Sequence, residues 1–395
     1  MNNNVKRIFC FAVLVICFAA VFGLGIWLGV AKIAYHVPQP GTIDFSLFWD
    51  AYNKLQQNFI SPDKINNQKV IYGAIKGMTE TLGDPYTDFF DPEQARRFQQ
   101  NLSGSFEGIG VEIGFKKGQL TVVSPLDGTP GQKAGLKPGD IILKIVNKDA
   151  SSMNTEEAVS LIRGPKGTNV TLTIYRDAWN KSKDIKITRD TINIESMKWS
   201  LIEPDIAYIR INQFDESVSS NFKKIAMEIL ARSAKKIIID LRDDPGGYLE
   251  VAQDVAGWFL EEGQTVAIED YGKNKEQQIY KTEGSGIFSN YPVVVLINEG
   301  SASASEILAG ALRDNRGIKL IGDKSFGKGS VQRLVDLRGG SSLKITIAKW
   351  LTPKGNSISE VGLDPDVKIS ITEQDAELQK DPQMSKALEI IKKLK

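Results

Sequence analysis

The residues best suited to chemistry in this sequence are serine and lysine. The chain has one histidine, His36, directly after an apolar N-terminal segment and badly placed to join a buried catalytic triad. An activated serine would therefore need another base, and a desolvated lysine is the usual substitute for histidine. The sequence thus directs attention to serines that begin a helix and to Lys328, which lies between two glycines.

Two predicted strand-to-helix junctions could hold a developing negative charge. In the first, Asp240–Gly247, a buried strand leads through Pro-Gly-Gly into a helix, so the N–H groups of Gly246 and Gly247 could point at a ligand. The second, Asn298–Glu306, places small residues at a helix N-terminus, where unpaired N–H groups favour an anion. Either junction alone also has an ordinary explanation, because Pro-Gly-Gly is a common loop and serine is a preferred helix cap.

The second junction offers three serines as nucleophile, at positions 301, 303 and 305. Helix positions two residues apart point about 200° away from each other, so at most one of the three should face a site. The spacing does not choose among them.

Composition narrows the class of protein. The 395 residues carry 49 basic and 48 acidic side chains, a net charge of +1, which gives no electrostatic footprint for nucleic acid. Both cysteines, Cys10 and Cys17, lie in the apolar N-terminal segment. The remainder can form no disulfide and has no Cys/His cluster for zinc, so we expect neither a metal nor a cofactor.

The segment Ile8–Val30 is uncharged and long enough for a helix to cross a hydrocarbon core of about 30 Å. Lys6 and Arg7 precede it, which favours a cytoplasmic N-terminus. A cleaved signal peptide is the alternative, although the apolar run is longer than usual and lacks a clear cleavage site. The sequence predicts a single-pass membrane anchor within residues 1–36, with the rest extracytoplasmic.

Beyond the anchor, periodicity predicts a multi-domain α/β (α+β) protein. Residues 37–102 form a helical unit for packing or subunit contact, and residues 103–178 form short strands with glycine turns and one helix, Thr155–Ile162. In residues 179–370 strands alternate with helices, as in a helix-covered sheet. Residues 371–395 end in a helix for packing or dimerisation.

The second of these regions resembles a PDZ domain over about 75 residues. The resemblance rests on Gly108-Ile109-Gly110-Val111, on the turn Ala134–Asp140 and on the helix ending at Arg163-Gly164, in that order. PDZ domains add an extended peptide to a sheet edge and hold its C-terminal carboxylate with backbone N–H groups of the glycine-rich loop. The resemblance implies that Gly108, Ile109, Gly110 and Val111 bind a polypeptide tail.

The sequence from Gly83 to Asp366 is similar to the carboxyl-terminal processing (tail-specific) proteases, through Asn298–Ile307, Gly327–Gln332 and Leu351–Gly355. This resemblance implies a crotonase/ClpP-like ββα core, with Ser303 as nucleophile, Lys328 as general base and Gln332 supporting the lysine. Ala304 and Gly246 or Gly247 would hold the oxyanion. Asp243 and Asp244 stand where many members have asparagines, and Asp314 is left out of the site.

The lysine role has a physical requirement. A lysine of pKa about 10.4 is a poor base at pH 7 until burial lowers that value. A carboxylate beside Lys328 would undo the effect, whereas the neutral amide of Gln332 can orient the amine without holding its proton.

The expected substrates are polypeptides with unstructured C-terminal tails, and a homodimer and an activating or adaptor protein are further predicted partners. The same resemblance makes Arg163, at the end of the PDZ helix, a candidate regulatory contact to the protease core that would help to set Gln332 and Lys328. A solvent-exposed or locally paired arginine is the alternative. Two other functions compete with the peptidase: a silent, membrane-tethered PDZ adaptor, and acyl transfer on a small thioester.

Overall fold

The computed structural model describes residues 43–394 except 117, 127, 177, 194, 233 and 274. The predicted anchor Ile8–Val30 lies outside this range, and no helix within the range is long and apolar enough to cross a membrane. The helices are α1 (Ser46–Asn58), α2 (Asn67–Glu80), α3 (Pro92–Leu102), α4 (Pro130–Lys133), α5 (Thr155–Ile162), α6 (Glu216–Leu230), α7 (Leu249–Phe259), α8 (Ala304–Arg316), α9 (Glu373–Glu377) and α10 (Pro382–Lys393), with short 3₁₀ turns at Pro62–Lys64, Ala150–Ser152 and Arg338–Gly340.

The strands form four sheets in this part of the chain. They are β1 (Asp88–Phe90), β2 (Ser105–Gly108), β3 (Val111–Lys116), β4 (Gln119–Pro125), β5 (Ile141–Ile145), β6 (Lys148–Asp149), β7 (Asn169–Tyr175), β8 (Lys183–Thr188), β9 (Asp190–Asn193), β10 (Met197–Glu203), β11 (Ile206–Ile211), β12 (Lys236–Asp240), β13 (Thr265–Asp270), β14 (Gln278–Lys281), β15 (Val293–Ile297), β16 (Lys319–Gly322), β17 (Ser330–Asp336), β18 (Ser342–Leu351) and β19 (Val367–Lys368).

The chain divides into two compact units after Ile71. In the first, helix α1 lies within the predicted helical unit, and the Tyr52 hydroxyl donates to Asn67 Oδ1 at 2.6 Å. None of the α1 side chains is buried, and Leu47 is 78% exposed. The sequence analysis had placed α3 and β1 with the helical unit. The structure places both in the second unit, where β1 pairs with the long strand β18.

The PDZ-like region contains the sheet β3-β4-β5-β7-β8. Helix α5 packs on this sheet, and its Ile162 lies in one buried cluster with Ile142 of β5. Helix α5 has the predicted bounds, and Asn154 and Glu157 form its capping box. The sequence analysis ended this region at residue 178, but β8 continues its sheet by pairing along β7. Strand β8 was missed because only Ile185 and Ile187 interrupt its polar and charged residues.

The protease-like core is a six-stranded sheet in the order β10-β11-β12-β15-β16-β19, parallel from β11 onwards. Strand β15 is buried along its whole length, as expected for a central parallel strand. Helices α6, α7 and α8 pack with one face of the sheet, where Ile237, Ile239 and Val295 are buried. Helix α10 covers the other face through Ala387 and Ile391, which confirms its predicted packing role.

A second, antiparallel sheet has the order β1-β18-β13-β14, and β17 also pairs with β18. Its strand β17 begins two residues after Lys328 and pairs along most of β18. The two sheets therefore carry the two halves of the candidate site, with the serines on the parallel sheet and the lysine at the edge of the antiparallel one.

Candidate active site

The two predicted junctions lie side by side at one edge of the parallel sheet. Strands β12 and β15 are parallel neighbours, with Ile239 opposite Val295, so their carboxyl ends meet. Beyond the strands, the Ala302 N–H donates to the Asp244 carbonyl at 2.9 Å. The Asn298 side chain donates to Asp243 Oδ1 at 2.8 Å, so the two junctions form one hydrogen-bonded unit.

The structure distinguishes the three serines that the spacing left open. Ser301 is fully buried and its hydroxyl donates to the Leu241 carbonyl at 2.7 Å. Ser305 is also fully buried and its hydroxyl donates to the Asp244 carbonyl at 3.0 Å. Ser303 is half-buried and lines an open cleft together with Lys328. Of the three, Ser303 is the serine that a substrate could reach.

The backbone at Ser303 is held in an unusual conformation immediately before α8. Its φ of 56° and ψ of −114° lie in a region that residues with a side chain rarely adopt, and such outliers cluster at functional sites. Its N–H donates to Glu306 Oε2 at 2.9 Å. Gly246 lies so close that a Cβ there would be 2.8 Å from Ser303 Cβ, so the Pro-Gly-Gly turn abuts the serine directly.

The N–H groups predicted to hold an oxyanion divide into two kinds. The N–H of Gly246 is engaged, since it donates to Asp244 Oδ1 at 2.8 Å. Within the described residues, neither Gly247 nor Ala304 donates its N–H to a protein acceptor. These two N–H groups remain available to an anion. Of the two glycines predicted as oxyanion donors, only Gly247 therefore has a free N–H among the described residues.

Glu306 connects the serine helix to the lysine loop. Its carboxylate is 1% exposed and accepts four hydrogen bonds. Besides Ser303, the donors are the N–H groups of Gly327 at 2.8 Å and Lys328 at 3.0 Å, and the Ser325 hydroxyl at 2.6 Å. Burial raises the pKa of Glu306, while its hydrogen bonds oppose that shift. One buried side chain therefore fixes both backbone segments.

The environment lowers the pKa of the Lys328 amine, as a general base requires. Burial is the largest cause, and the nearby Lys344 ammonium lowers the pKa further. The Glu306 carboxylate acts in the opposite direction. A carboxylate beside the lysine was predicted to undo the lowering of its pKa, but burial outweighs the effect of Glu306, whose carboxylate is bonded to backbone N–H groups.

Gln332 lines the same cleft as Lys328 but bonds elsewhere. Its amide NH₂ group donates to the Ser330 hydroxyl at 2.6 Å and to the Ser330 carbonyl at 3.0 Å. The pairing of β17 with β18 shifts register between Val331 and Gln332, and such bulges often redirect a side chain near an active site. In the described residues no hydrogen bond joins Gln332 to Lys328, so its supporting role stays a prediction.

The cleft has a volume of about 640 Å³ and draws on several parts of the second unit. Its wall includes Phe98 and Asn101 of α3, Tyr248 of α7, Tyr280 of β14 and Lys344 of β18. It is large enough for several residues of an extended polypeptide, and it is lined by both apolar and polar side chains, as substrate clefts usually are.

The residues Gly108, Ile109, Gly110 and Val111, predicted to bind a polypeptide tail, form a loop beside a small pocket of the PDZ-like region. Ile109 is 1% exposed, and Gly110 has a φ of 67° with its carbonyl accepting from Thr129 Oγ1 at 2.9 Å. A pocket of about 70 Å³ lies between this loop and α5, lined by Phe106, Ile109, Gly110, Val111, Ile113, Val159, Ile162 and Arg163.

Arg163 lies at the edge of that pocket and contacts α3. Its guanidinium donates to Asn101 Oδ1 at 3.0 Å and stacks 4.3 Å from the centre of the Phe106 ring. The Asn101 carbonyl in turn accepts from Gln213, and both Asn101 and Gln213 line the active-site cleft. Arg163 thus reaches the cleft wall through α3, without a direct contact to Gln332 or Lys328 among the described residues.

The sequence analysis missed roles for Glu306, Asp244 and Lys344. A glutamate three residues after Ser303 fits the capping-box spacing and could have indicated a buried acceptor. Asp244 is fully buried, which its position beside a proline did not reveal. Asp314, excluded from the site, accepts from the Lys354 N–H at 3.1 Å and does not line the cleft.

Comparison with known proteins supplies the family. Residues 205–369 match peptidase family S41, residues 121–176 match the PDZ domain and residues 38–94 match the N-terminal domain of the activating protease CtpB. The carboxy-terminal processing protease CtpA of Bacillus subtilis is 39% identical over 331 residues, which cover 84% of this chain and 70% of that protein.

Two further relatives agree with this result. Carboxy-terminal processing protease CtpB of Bacillus subtilis is 34% identical over 88% of this chain and 75% of its own length. The solved structure of a photosystem II D1 C-terminal processing protease is 26% identical, with a TM-score of 0.52 over 85% of this chain and 91% of its own. The chain therefore belongs to the S41 serine peptidases, as a PDZ-containing endopeptidase of the carboxy-terminal processing protease family.

Proposed function

We propose that Ser303 is the nucleophile of this peptidase and that Lys328 is its general base. The observation that carries the proposal is that both side chains line one cleft, whereas Ser301 and Ser305 are fully buried and bonded to carbonyls. The lowered pKa of Lys328 supports the assignment, because a neutral amine is the form that accepts a proton.

In this mechanism the Ser303 oxygen attacks the carbonyl carbon of the scissile peptide bond, and its proton passes to Lys328 Nζ. The N–H groups of Ala304 and Gly247 stabilise the oxyanion of the tetrahedral intermediate. That intermediate collapses to an acyl-enzyme while the lysine returns its proton to the leaving amine. Water, deprotonated by Lys328, then attacks the ester carbonyl and releases Ser303.

The test is cleavage of an unstructured polypeptide that ends in an apolar residue. We expect Ser303→Ala and Lys328→Ala each to lower kcat/KM at least about a thousandfold, since catalytic groups of such a site act as a unit. Lys324→Ala is the matched control, because Lys324 lies in the same loop, is exposed and pairs with Asp364 at 3.4 Å. Full activity in Lys328→Ala, with Ser303→Ala inactive, would refute the assignment of the base.

Recognition of the substrate tail is a second part of the proposal. The groove at Gly108–Val111 would bind the C-terminal residues of a polypeptide. The hydrogen bond from Arg163 to Asn101 would couple this binding to the active-site cleft. Gln332 and Lys328 would then be set for catalysis. If Arg163→Ala changes neither basal nor tail-stimulated cleavage, this part of the proposal is wrong.

Location and assembly also remain proposals. We propose a single-pass anchor at Ile8–Val30 with the peptidase extracytoplasmic, and a subunit contact through the exposed apolar side chains of α1, such as Leu47. A second copy of the chain is the first candidate for that contact, and an activating or adaptor protein is the alternative. Protease protection in sealed vesicles and the sedimentation of the purified protein test these two points.

A further inference from the structure

A buried acid lies directly beneath the proposed oxyanion site. Asp244 is fully buried, and its Oδ1 accepts from the Gly246 N–H at 2.8 Å. Its Oδ2 is buried as well and has no hydrogen-bond partner in the described part of the chain. Its backbone carbonyl accepts from the Ala302 N–H and the Ser305 hydroxyl. Asp244 therefore contacts the strand-end turn and the helix start on both sides of Ser303.

The Phe214 N–H donates to the Gly246 carbonyl at 2.9 Å and so orients the Gly246–Gly247 peptide, while the side chain of Asp244 holds the preceding N–H. By binding the N–H of Gly246, it fixes a turn in which Gly246 lies against Ser303 and the next N–H, that of Gly247, is left without a described acceptor. Gly246 has a φ of 96° and Gly247 a φ of 151°, so this path depends on glycine at both positions. Loss of the Asp244 contact would free the Gly246 peptide to rotate.

The charged groups around Asp244 do little to stabilise its ionised form. From β11, Arg210 is the cation that lowers its pKa, but that guanidinium bonds to Asn212 at 3.0 Å and to Asp243 at 3.4 Å. From α8, Glu306 is directed to the Lys328 loop, as its hydrogen bonds show.

Within the same turn, Asp240 and Arg242 pair with each other at 2.7 Å. Burial is consequently the largest influence on Asp244 and raises its pKa to about 8. Because Oδ1 accepts a hydrogen bond, the proton of the neutral acid belongs on Oδ2.

We propose that Asp244 is a positioning residue that works as an uncharged acid, and that its ionisation in mild alkali disables the oxyanion site and switches the peptidase off. A carboxylate at this position would place a full negative charge next to the N–H groups that stabilise the oxyanion, in a site shielded from water. This inference rests on the proposed roles of Ser303, Gly247 and Ala304.

The test compares kcat/KM at pH 7.5 and pH 9.5 for the wild type, Asp244→Asn, Asp244→Ala and Ser303→Ala, on the same unstructured polypeptide. Asparagine keeps the shape and the Oδ1 acceptor but cannot ionise. For an acid of pKa about 8, we expect the ratio of kcat/KM at pH 9.5 to that at pH 7.5 to be roughly twentyfold higher in Asp244→Asn than in the wild type. Alanine should lower kcat/KM at both pH values, because it leaves the Gly246 N–H without its acceptor.

Thermal unfolding provides a readout independent of activity. An acid whose pKa is raised by folding contributes stability that is complete below its unfolded pKa, about 4, and is lost as pH rises towards its folded pKa. The unfolding midpoint of the wild type should therefore fall between pH 5 and pH 8 more steeply than that of Asp244→Asn. This comparison holds even if Asp244→Ala does not fold.

Equal pH ratios in the wild type and Asp244→Asn would overturn the inference, as would equal slopes of the unfolding midpoint. Ser303→Ala separates this failure from that of the proposed function. If Ser303→Ala still cleaves, the proposed function is wrong and the inference falls with it. If Ser303→Ala is inactive while the Asp244→Asn ratios match the wild type, only the inference is wrong.

Discussion

Gly246 lies close to Ser303, the proposed nucleophile. Substituting Gly246 by alanine therefore has two effects, crowding at Ser303 and backbone strain, and a matched control can separate them. In Gly246→Ala the new Cβ would lie 2.8 Å from Ser303 Cβ and 2.6 Å from the Ala302 carbonyl oxygen, whereas ordinary contacts begin at 3.4 Å. The serine would have to retreat by 3.4 minus 2.8, or 0.6 Å. A misplacement of about 1 Å in an active site costs about a hundredfold in rate, so 0.6 Å implies a loss of roughly fifteenfold.

The control is Gly263→Ala in the same unit. Gly263 has a φ of 82°, close to the 96° of Gly246, but a Cβ there would meet nothing within 4 Å. Both variants carry the conformational strain of alanine at positive φ, about 1 to 2 kcal/mol of unfolding free energy. Only Gly246→Ala should lose activity beyond what its stability explains.

The measurements are kcat/KM on an unstructured polypeptide and the free energy of unfolding in urea, for both variants and the wild type. Gly263→Ala should cleave within about twofold of the wild type, since strain far from the site does not move the serine. The reasoning is refuted if Gly246→Ala folds normally and cleaves within about threefold of Gly263→Ala. In that case the contact between the turn and the nucleophile would have no kinetic importance.

Three further predictions use the same assays. Lys344→Gln removes a cation that lowers the pKa of Lys328, so the acidic limb of the pH profile of kcat/KM should move to higher pH; an unmoved or lower limb would contradict this. Glu306→Ala leaves four buried donors without their acceptor and should lower the free energy of unfolding by about 3 kcal/mol in urea titration; a change below about 1 kcal/mol would show that the network is dispensable. Ile391→Ala should lower the free energy of unfolding by about 2 to 5 kcal/mol, and Leu394→Ala, at an exposed position, by much less. Equal losses in the two variants would mean that α10 does not pack as described.

Local patterns predicted the elements of the core because the relevant residues are neighbours in sequence. Capping residues indicate helix α5, and an unbroken apolar run indicates strand β15. The resemblance to the carboxyl-terminal processing proteases assigned the two junctions at Gly246 and Ser303 to one site. The structure places both at one edge of the sheet, where the carboxyl ends of the parallel strands β12 and β15 meet. Strands β8, β13, β14 and β17 were not identified, because their polar and apolar residues give a weaker pattern.

The finer features of the site depend on contacts that no local pattern records. The N–H of Gly246 was expected to face a ligand, but the side chain of Asp244, two residues earlier, binds it instead. The support of Lys328 by Glu306 joins residues 22 positions apart, and it forms only when the loop before β17 packs against α8. Sequence reasoning proposed the reacting groups by chemistry and resemblance, whereas the hydrogen-bond network around Ser303 and Lys328 is a property of the tertiary fold.

The bridge that Glu306 makes between α8 and the Lys328 loop also bears on biosynthesis. Ser303 and Lys328 come to line one cleft only after β17 has paired with β18, and that pairing requires residues up to Leu351 to be synthesised and folded. Contacts between distant segments form late, because the entropy of closing the intervening chain must be overcome first. We therefore expect a nascent or partly folded chain to be unable to cleave itself or its neighbours, because the two sides of the cleft are not yet assembled.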